Sequence, residues 1–383
     1  MRIDYVVSDR HERQTFVRRE ATGLTDAGHE VNFVALRPTF TPSSLVALFR
    51  GVLRFSRSRT GREEVFEAAW SLRGSELRWT LVGLQTICSV LIVAGSRDAT
   101  KPDMRVAHFA GRSAVAAMLL QALDAVPYVV VCHAYDVFST HGDTSWHRRI
   151  EAASAVLSIT PEVDQIVETR AGISPERHVM EVSQSVLQTE LTLPKDRVVE
   201  VCAVAGLEQK KGLDVLIKAA GIARQAGEEW KVVIGGYGDL QGELERLASE
   251  LDVSVEFPGL LNETEVATLM NSAQVFCLPC RTDDQGNRDG LPVAIMEAIA
   301  CGCKIVTTPL SGFVDGQYAA VKQVEPEDAD AIYATVSQLL AEPPSQIDLA
   351  NSRDLLLERH GPGSGSRTIE RVLCDVIKEK AHG

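Results

Sequence analysis

The feature that most constrains this chain is an alternation of short apolar segments with amphipathic segments, which occurs in two successive runs. In the first run the predicted strands are residues 3–8, 30–36, 104–109, 128–132 and 155–159. The predicted helices between them are residues 15–27, residues 113–123 and a segment that begins at Pro161. Strands that alternate with helices predict a parallel β-sheet covered by helices.

The second run begins after a polar stretch at residues 188–197, where Thr, Pro and charged residues replace the apolar pattern. Its predicted strands are residues 198–205, 231–234, 253–257, 275–278 and 304–307. A last helix is predicted at residues 367–380, with an apolar stripe made of Ile369, Val372, Leu373, Val376 and Ile377. A stripe of this kind has to pack against another element.

The length of 383 residues exceeds what one hydrophobic core usually serves. We therefore predict an α/β protein of two Rossmann-like parallel-sheet domains that face a cleft. The predicted bounds are 1–190 for the first domain and 197–360 for the second, with 361–383 as a closing helix that packs back toward the first. Ligands bind at the carboxyl ends of parallel strands, so functional motifs should follow strands directly.

The net charge of −13 argues against a nucleic acid as partner. Five arginines lie within residues 50–62, where we favour a solvated helix face over a contact with anionic lipid or an anionic acceptor. The apolar segment 81–95 is shorter than the roughly 20 residues of a membrane span, so we favour a buried helix over shallow membrane docking. The start of the chain lacks the pattern of an export signal. A cytoplasmic location is expected, with a peripheral position at the inner face of the membrane as the alternative.

Four of the eight cysteines, Cys277, Cys280, Cys301 and Cys303, superficially resemble the ligands of a zinc site. Each lies in a predicted strand or beside the end of a predicted helix, where a small buried thiol packs well. We therefore expect reduced cysteines and no zinc site.

The strongest functional motif runs from Arg288 to Gly302 and follows a predicted strand and an Asp-rich loop. Pro292 is suited to begin a helix, and Gly302 to end it. Free N–H groups at such a helix start, together with the helix dipole, bind anions such as a diphosphate. Asp289 before the helix and Glu297 on it can accept hydrogen bonds from different parts of one ligand.

Three weaker motifs also follow predicted strands. Lys210-Lys211-Gly212 places cations at a strand–helix turn, where they can meet a phosphate. Gly235-Gly236-Tyr237-Gly238 permits close approach of a ligand but does not match the dinucleotide fingerprint. His133 and Asp136 form a candidate polar pair, for which a buried structural histidine is the alternative.

In this order the motifs resemble those of the GT-B glycosyltransferases of the large retaining family 4. The resemblance covers nearly the whole chain and is strongest over residues 200–312. Further positions that match are Phe257-Pro258-Gly259, Leu278-Pro279-Cys280 and Ser311-Gly312. In the first half, residues 14–20, His108-Phe109-Ala110 and His133–Asp136 resemble the colanic-acid or exopolysaccharide branch.

The resemblance implies transfer of a sugar from a nucleotide diphosphate (UDP or GDP) to an acceptor hydroxyl with retention of configuration, without a metal and without a cofactor. It assigns 1–190 to acceptor binding and 197–360 to donor binding. Matching positions imply that Lys211, Gly236, Gly238, Leu260, Arg288, Gly290, Leu291 and Glu297 bind the donor. They imply catalytic roles for His133, Asp289 and Glu297, and place Thr15, Phe16, His108 and Asp136 on the acceptor side.

Four departures from the family pattern bear on activity. Gly206 stands where the family has a diphosphate-binding Arg, unless Arg281 or Arg288 supplies that charge. Losing one charge-assisted contact costs about 1.5–3 kcal/mol. Asp289 stands in place of the usual Glu, and Cys280 in place of Ser. The helix start that normally follows the Ser-Gly pair is absent at residues 313–316.

Three alternatives to an exopolysaccharide enzyme follow from these departures and from the unknown acceptor. The acceptor is a glycan, a lipid-linked molecule or a soluble natural product. The soluble natural product is the first alternative, because the first half shows no strong basic or apolar surface pattern. A donor-weak partner subunit on the same fold is the second alternative. A nucleotide-sugar epimerase is the third. The oligomeric state is not determined by the sequence.

Overall fold

The computed structural model describes residues 1–8, 15–36, 41–57, 77–96, 101–138, 146–188, 197–309, 313, 316–342 and 345–382, without the side chains of 77–83. The chain divides into two compact units. The first unit is Met1–Val179 together with Gly365–Gly383, and the second is Met180–Ser364.

The first unit contains a parallel sheet of six strands within the described residues, in the order β2-β1-β3-β4-β5-β6. The strands are β1 (Arg2–Val7), β2 (Glu30–Ala35), β3 (Met104–His108), β4 (Tyr128–Cys132), β5 (Ala155–Ser158) and β6 (Glu176–Arg177). Every residue of β3 and β4 is buried. Both strands are buried throughout because helices cover both faces of a parallel sheet, and β3 therefore buries Arg105 and His108 as well.

The helices of the first unit are α1 (Thr15–Asp26), α2 (Pro42–Arg57), α3 (Leu77–Ser96), α4 (Arg112–Asp124), α5 (Ala134–Phe138), α6 (Trp146–Glu151) and α7 (Pro161–Ala171). Thr160 caps the start of α7 by accepting a hydrogen bond from the N–H of Val163, and Gly172 ends it in the left-handed region. These two signals explain why the predicted start at Pro161 is the observed one.

The second unit repeats the architecture. Its six strands are β7 (Val199–Val204), β8 (Val232–Gly235), β9 (Val255–Gly259), β10 (Ala273–Leu278), β11 (Lys304–Thr307) and β12 (Val321–Gln323), and they form a parallel sheet in the order β12-β11-β10-β7-β8-β9. Its helices are α8 (Ser185–Gln188), α9 (Leu213–Gln225), α10 (Gln241–Glu250), α11 (Glu263–Ser272), α12 (Val293–Ala300), α13 (Ala329–Ala341) and α14 (Gln346–His360). The two sheets confirm the predicted fold class.

The last helix, α15 (Ser364–His382), buries the predicted stripe against the first unit. Ile369, Val372 and Leu373 are almost fully buried. Glu370 accepts a hydrogen bond from His29 at 2.8 Å, and Arg371 pairs with Glu176 at 2.7 Å. The apolar stripe and these two contacts hold α15 on the first unit.

The division between the units falls at Val179, about ten residues before the predicted boundary. Residues 180–188 belong to the second unit because their backbone is bonded there. The N–H of Val182 donates to the carbonyl of His360 at 2.9 Å, and the N–H of Ser183 donates to Glu297 at 3.3 Å. Residues 189–196, where the sequence placed the boundary, lie outside the described residues.

A buried arginine joins three elements of the second unit. The guanidinium of Arg197, whose residue is 5% exposed, donates to the carbonyl of Ala273 and to that of Cys301, both at 2.7 Å. It also contacts the sulfur of Cys303 at 3.4 Å. Removal of the guanidinium would leave buried carbonyls without donors, which is costly.

We expect Arg197→Met to lower the free energy of unfolding of the second unit by about 2–4 kcal/mol, because two buried carbonyls lose charged donors. Urea denaturation followed by fluorescence measures this loss. Arg224→Met is the matched control, since Arg224 pairs with Asp252 on the surface and should cost less than about 0.5 kcal/mol. Equal losses in the two variants would show that Arg197 has no structural role.

Candidate active site

The second unit concentrates charge where β7 and β10 end. A short 3₁₀ turn, Gln209–Lys211, follows β7, and a loop leads from β10 to Asp289. These ends lie side by side because β7 and β10 are neighbours in the sheet. The N–H of Arg281 donates to the carbonyl of Lys210 at 2.9 Å and joins the two loops directly.

Asp289 binds both lysines of the turn. The ammonium of Lys211 donates to one carboxylate oxygen of Asp289, and the ammonium of Lys210 lies 3.4 Å from the other. The thiol of Cys280 lies 3.6 Å from Asp289. Side-chain exposure is 12% for Asp289 and 15% for Lys211, so the pair is mostly shielded from water.

The charges of this cluster stabilise one another. Burial alone would raise the pKa of Asp289, but the two lysines overcome that effect and lower it. Burial alone would lower the pKa of Lys211, but Asp289 raises it. Both shifts favour the charged forms, as expected for a shielded ion pair with good geometry. The pair is therefore charged at neutral pH.

Arg281 has other partners than this carboxylate. Its guanidinium pairs with Asp214 at 2.9 Å and donates to the carbonyl of Gln209 at 2.9 Å. A contact of 3.5 Å to Glu327 adds a second acid. Arg281 thus joins the two loops, and its guanidinium pairs with Asp214 and Glu327 instead of Asp289.

The position that lacks the expected arginine has room for a side chain. A Cβ atom on Gly206 would have only the Glu208 side chain near it, with the closest atom, a carboxylate oxygen, at 3.3 Å. A Cβ atom on Gly236 would instead lie 1.8 Å from the carbonyl oxygen of Ala205, and its φ is 143°. Gly236 is therefore required by backbone packing, whereas Gly206 is not.

The predicted reason for the glycines at 236 and 238, close approach of a ligand, is not the one that the contacts show. Gly238 likewise packs on Leu207.

Helix α12 presents its first turn without a side-chain cap. Pro292 is the N-cap residue and its ring offers no acceptor, so no side chain caps the N–H groups of the first turn, although the N–H of Ile295 donates to the carbonyl of Pro292 at 3.1 Å. The helix ends at Ala300, and Gly302 has a φ of 70°. Both ends are those predicted from the sequence.

The remaining donor-side candidates lie on the same unit. Glu297 on α12 is 7% exposed, and one of its oxygens accepts the N–H of Ser183 at 3.3 Å. Gly290 is buried and Leu291 half-buried beside Asp289. Arg288 is half-buried, and Leu260 after β9 is 78% exposed.

In the first unit the structure brings His108, His133 and Phe16 together. Nδ1 of His108 lies 3.1 Å from Nε2 of His133. The ring of Phe109 stacks on His133 with centroids 4.3 Å apart, and Phe16 lies 5.4 Å away. Thr15 is exposed and its hydroxyl accepts a hydrogen bond from Arg19, so it is not joined to this group.

Asp136 organises the backbone beneath His133. Its carboxyl accepts the N–H of His133 at 2.9 Å and backbone N–H groups of Ala110 and Gly111. Complete burial raises the pKa of Asp136 to about 7 in spite of these bonds. Asp136 thus joins the segment after β3 to the segment after β4 through hydrogen bonds to their backbone.

Sequence reasoning missed two residues of this group, Glu20 and His178. Nε2 of His108 lies 3.0 Å from one oxygen of Glu20, and Nε2 of His178 lies 2.9 Å from the other. One signal for Glu20 was present in the sequence. It stands on the buried face of α1 with Val17 and Leu24, where a charged residue requires partners.

Glu20, His108 and His178 also offer three ligand atoms within 4.8 Å of one another, which is the metal-compatible group found among the described residues. Hydrogen bonds already join these atoms.

Of the cysteines considered for zinc, Cys303 donates to the carbonyl of Met270 at 3.0 Å, and burial raises the pKa of Cys280 to about 12. The expectation of no metal cofactor stays a prediction.

Comparison with known families and proteins agrees with this geometry. Residues 199–342 match the family model described as Glycosyl transferases group 1. The chain is 27% identical over 364 residues to the putative colanic acid biosynthesis glycosyltransferase WcaL of Salmonella typhimurium, covering 85% of this chain and 87% of WcaL. It is 33% identical over 151 residues to the amylovoran biosynthesis glycosyltransferase AmsK of Erwinia amylovora. That match spans 39% of this chain and only 35% of AmsK.

A solved structure extends the comparison to the fold. The crystal structure of HepE from Anabaena, in complex with UDP and glucose, matches 97% of this chain and 99% of its own with a TM-score of 0.65. The sequence identity is 14%, so this likeness shows the fold alone.

Proposed function

We propose that this chain transfers a sugar from a UDP- or GDP-sugar to an acceptor hydroxyl with retention of configuration. The proposal is supported by the match of residues 199–342 to the group 1 glycosyltransferases, by the GT-B fold and by the resemblance to the exopolysaccharide branch. The observation that carries the proposal is the ion pair of Lys211 with Asp289 directly before the uncapped start of α12. A cation and free N–H groups at one point are suited to a diphosphate.

The proposed donor contacts follow from the positions of the groups. Lys211 and the backbone N–H groups at Gly290 and Leu291 bind the diphosphate, and Glu297 accepts hydrogen bonds from the ribose hydroxyls. Asp289, which holds the lysines in the free protein, turns to the hydroxyls of the transferred sugar. Because the N–H groups and lysines neutralise the phosphates, we propose that the reaction proceeds without a metal.

Catalysis in this proposal rests on position and charge. As the bond between sugar and phosphate breaks, the leaving diphosphate gains negative charge beside Lys211 and the α12 dipole, which stabilise it. The acceptor hydroxyl approaches from the side of the departing phosphate and gives its proton to a phosphate oxygen.

One observation keeps a second candidate open, a donor-weak partner subunit. Gly206 carries no cation, and Arg281 is paired with Asp214 and Glu327. The diphosphate therefore meets fewer free charges than in the family pattern. A partner subunit would show little donor affinity and a stable complex with another transferase.

A donor panel separates these candidates. We expect UDP- or GDP-sugars to raise the melting temperature and to be turned over. Glu297→Gln should weaken donor binding about 10- to 150-fold, since hydrogen bonds to a charged group contribute roughly 1.5–3 kcal/mol. Glu263→Gln is the matched control, because Glu263 bonds the hydroxyl of the same Ser183 at 2.7 Å and has no proposed ligand. If no UDP-, GDP- or TDP-sugar raises the melting temperature or is turned over, the proposed glycosyltransferase activity is refuted.

An exposed apolar face on α2 bears on the acceptor. Leu45, Phe49 and Val52 are 54%, 65% and 46% exposed, at the i, i+4, i+7 spacing of one helix face. Arg50 and Arg57 flank this face and are exposed. The expectation that the first half shows no strong apolar surface is therefore wrong, because the pattern is set by helical spacing and not by a continuous run. Among the described residues, no helix is long and apolar enough to span a membrane.

We propose that α2 lies on an anionic lipid surface, with its apolar face in the headgroup layer and its arginines at lipid phosphates. The acceptor that fits this placement is a lipid-linked glycan, in preference to a soluble natural product. Peripheral attachment at the cytoplasmic face of a membrane follows from the same contact.

Vesicle sedimentation tests the lipid contact. We expect binding to vesicles with anionic lipid and loss of at least about 10-fold in partition for Phe49→Asp, since burial of a large apolar side chain contributes roughly 1.5–3 kcal/mol. Ile347→Asp is the matched control, because Ile347 is 71% exposed on α14 of the second unit. Equal binding by wild type and Phe49→Asp, or no vesicle binding by wild type, would refute the lipid contact.

A further inference from the structure

Cys280 lies where the two loops of the candidate site meet, and the proposed donor contacts give it no role. The residue is fully buried. The hydroxyl of Thr308 donates to the carbonyl of Cys280 at 2.5 Å, and the N–H of Cys280 donates to the carbonyl of Leu278 at 3.0 Å. The backbone of Cys280 is therefore held from the end of β10 and from the segment after β11.

The turn after β7 packs directly on the neighbours of Cys280. A Cβ atom on Gly212 would lie 2.0 Å from the carbonyl oxygen of Pro279, so the two backbones touch at this point. On the other side of Cys280, the N–H of Arg281 donates to the carbonyl of Lys210 at 2.9 Å. These two contacts fix Cys280 relative to the turn that carries the lysines.

The proton between Cys280 and Asp289 lies on the sulfur. Burial, together with the charge of Asp289, raises the pKa of Cys280 to about 12, so the thiol is protonated at neutral pH. Burial would raise the pKa of Asp289, but the two lysines overcome that effect and lower it, so this group is an ionised acceptor. The 3.6 Å contact from Sγ to Oδ2 is therefore a hydrogen bond that the thiol donates to the carboxylate.

The three donors divide the two oxygens of Asp289 unequally. Cys280 and Lys211 both bind Oδ2, whereas the ammonium of Lys210 lies 3.4 Å from Oδ1. A diphosphate attracts the lysines because they are cations, but a neutral thiol is a weak donor with little attraction for a phosphate. The hydrogen bond from Cys280 is thus the one of these three that a bound donor leaves in place.

We propose that Cys280 is a positioning residue that holds Oδ2 of Asp289 in the donor-bound state and so directs Oδ1 to the hydroxyls of the transferred sugar. This inference rests on the proposed function, which assigns the sugar to Asp289 and the diphosphate to Lys211. It separates two parts of the donor, because Lys211 acts on the diphosphate whereas Cys280, through Asp289, acts on the sugar. Recognition of the sugar, and not of the diphosphate, then depends on this thiol.

The test compares two ligands that differ by the sugar alone. Calorimetric titration measures the affinity of the UDP- or GDP-sugar that binds most tightly in the donor panel, and of the same nucleoside diphosphate without its sugar. We expect Cys280→Ala to weaken binding of the nucleotide-sugar about 5-fold, the effect of one ordinary hydrogen bond, and to leave the nucleoside diphosphate unchanged. Cys280→Ser should retain the wild-type affinities, because a hydroxyl also donates to a carboxylate.

Cys277→Ala is the matched control for the loss of a buried thiol. Cys277 lies on β10, is as fully buried as Cys280 and has no proposed ligand. We expect this variant to bind both ligands as the wild type does. An equal loss of affinity for both ligands in Cys280→Ala would overturn the proposal, because a general disturbance of the site has that effect.

Infrared spectroscopy tests the contact without a ligand. The S–H stretching band that Cys280→Ser lacks should move to higher wavenumber in Asp289→Asn, since an amide oxygen is a weaker acceptor than a carboxylate. A band that stays in place would overturn the proposal, and this comparison decides it if Cys280→Ala does not fold. If the wild type binds neither ligand, the proposed function fails and this inference fails with it. If both ligands bind to the wild type and Cys280→Ala weakens neither, this inference alone fails.

Discussion

The pairing of Lys210 and Lys211 with Asp289 is the interaction on which the candidate donor site depends. It joins the turn after β7 to the loop after β10, and Arg281 strengthens the same junction. The shielded contact between Asp289 and Lys211 favours the charged form of both groups in the absence of a ligand. Binding of a diphosphate to these lysines then requires little reorganisation, because the lysines are already buried and ordered in the free protein.

The first unit uses the same physical device with different chemistry. Glu20 is a buried carboxylate that gathers imidazoles in the way that Asp289 gathers ammonium groups. In each unit the polar cluster lies at the ends of parallel strands, where the backbone leaves room for side chains. The two clusters differ in composition: the second unit brings lysines to a helix start, and the first unit brings histidines together around a carboxylate.

The fold was predictable because its signals are local and repeated. Strands such as β4 and β11, and the start of α7 at Pro161, follow from short apolar runs and capping residues that no long-range contact alters. Within the candidate site, the bounds of α12 were predictable because Pro292 and Gly302 are local signals in one continuous motif. The Glu20–His178 contact joins residues that are 158 positions apart in the chain, and no periodic pattern in the sequence indicates it. The domain boundary was placed too late because the backbone N–H groups of Val182 and Ser183 bond to the second unit, and such bonds leave no trace in the composition.

The central claim, that the turn after β7 faces the donor diphosphate, is tested most directly by calorimetric titration of UDP and GDP into wild type, Gly206→Arg and Gly206→Ala. The site at 206 accepts a side chain, so both variants should fold. We expect the arginine to tighten nucleoside diphosphate binding about 10- to 150-fold, the equivalent of one charge-assisted contact of roughly 1.5–3 kcal/mol, and the alanine to leave it unchanged. Equal affinity in all three proteins would contradict this claim, because the diphosphate would then lie elsewhere.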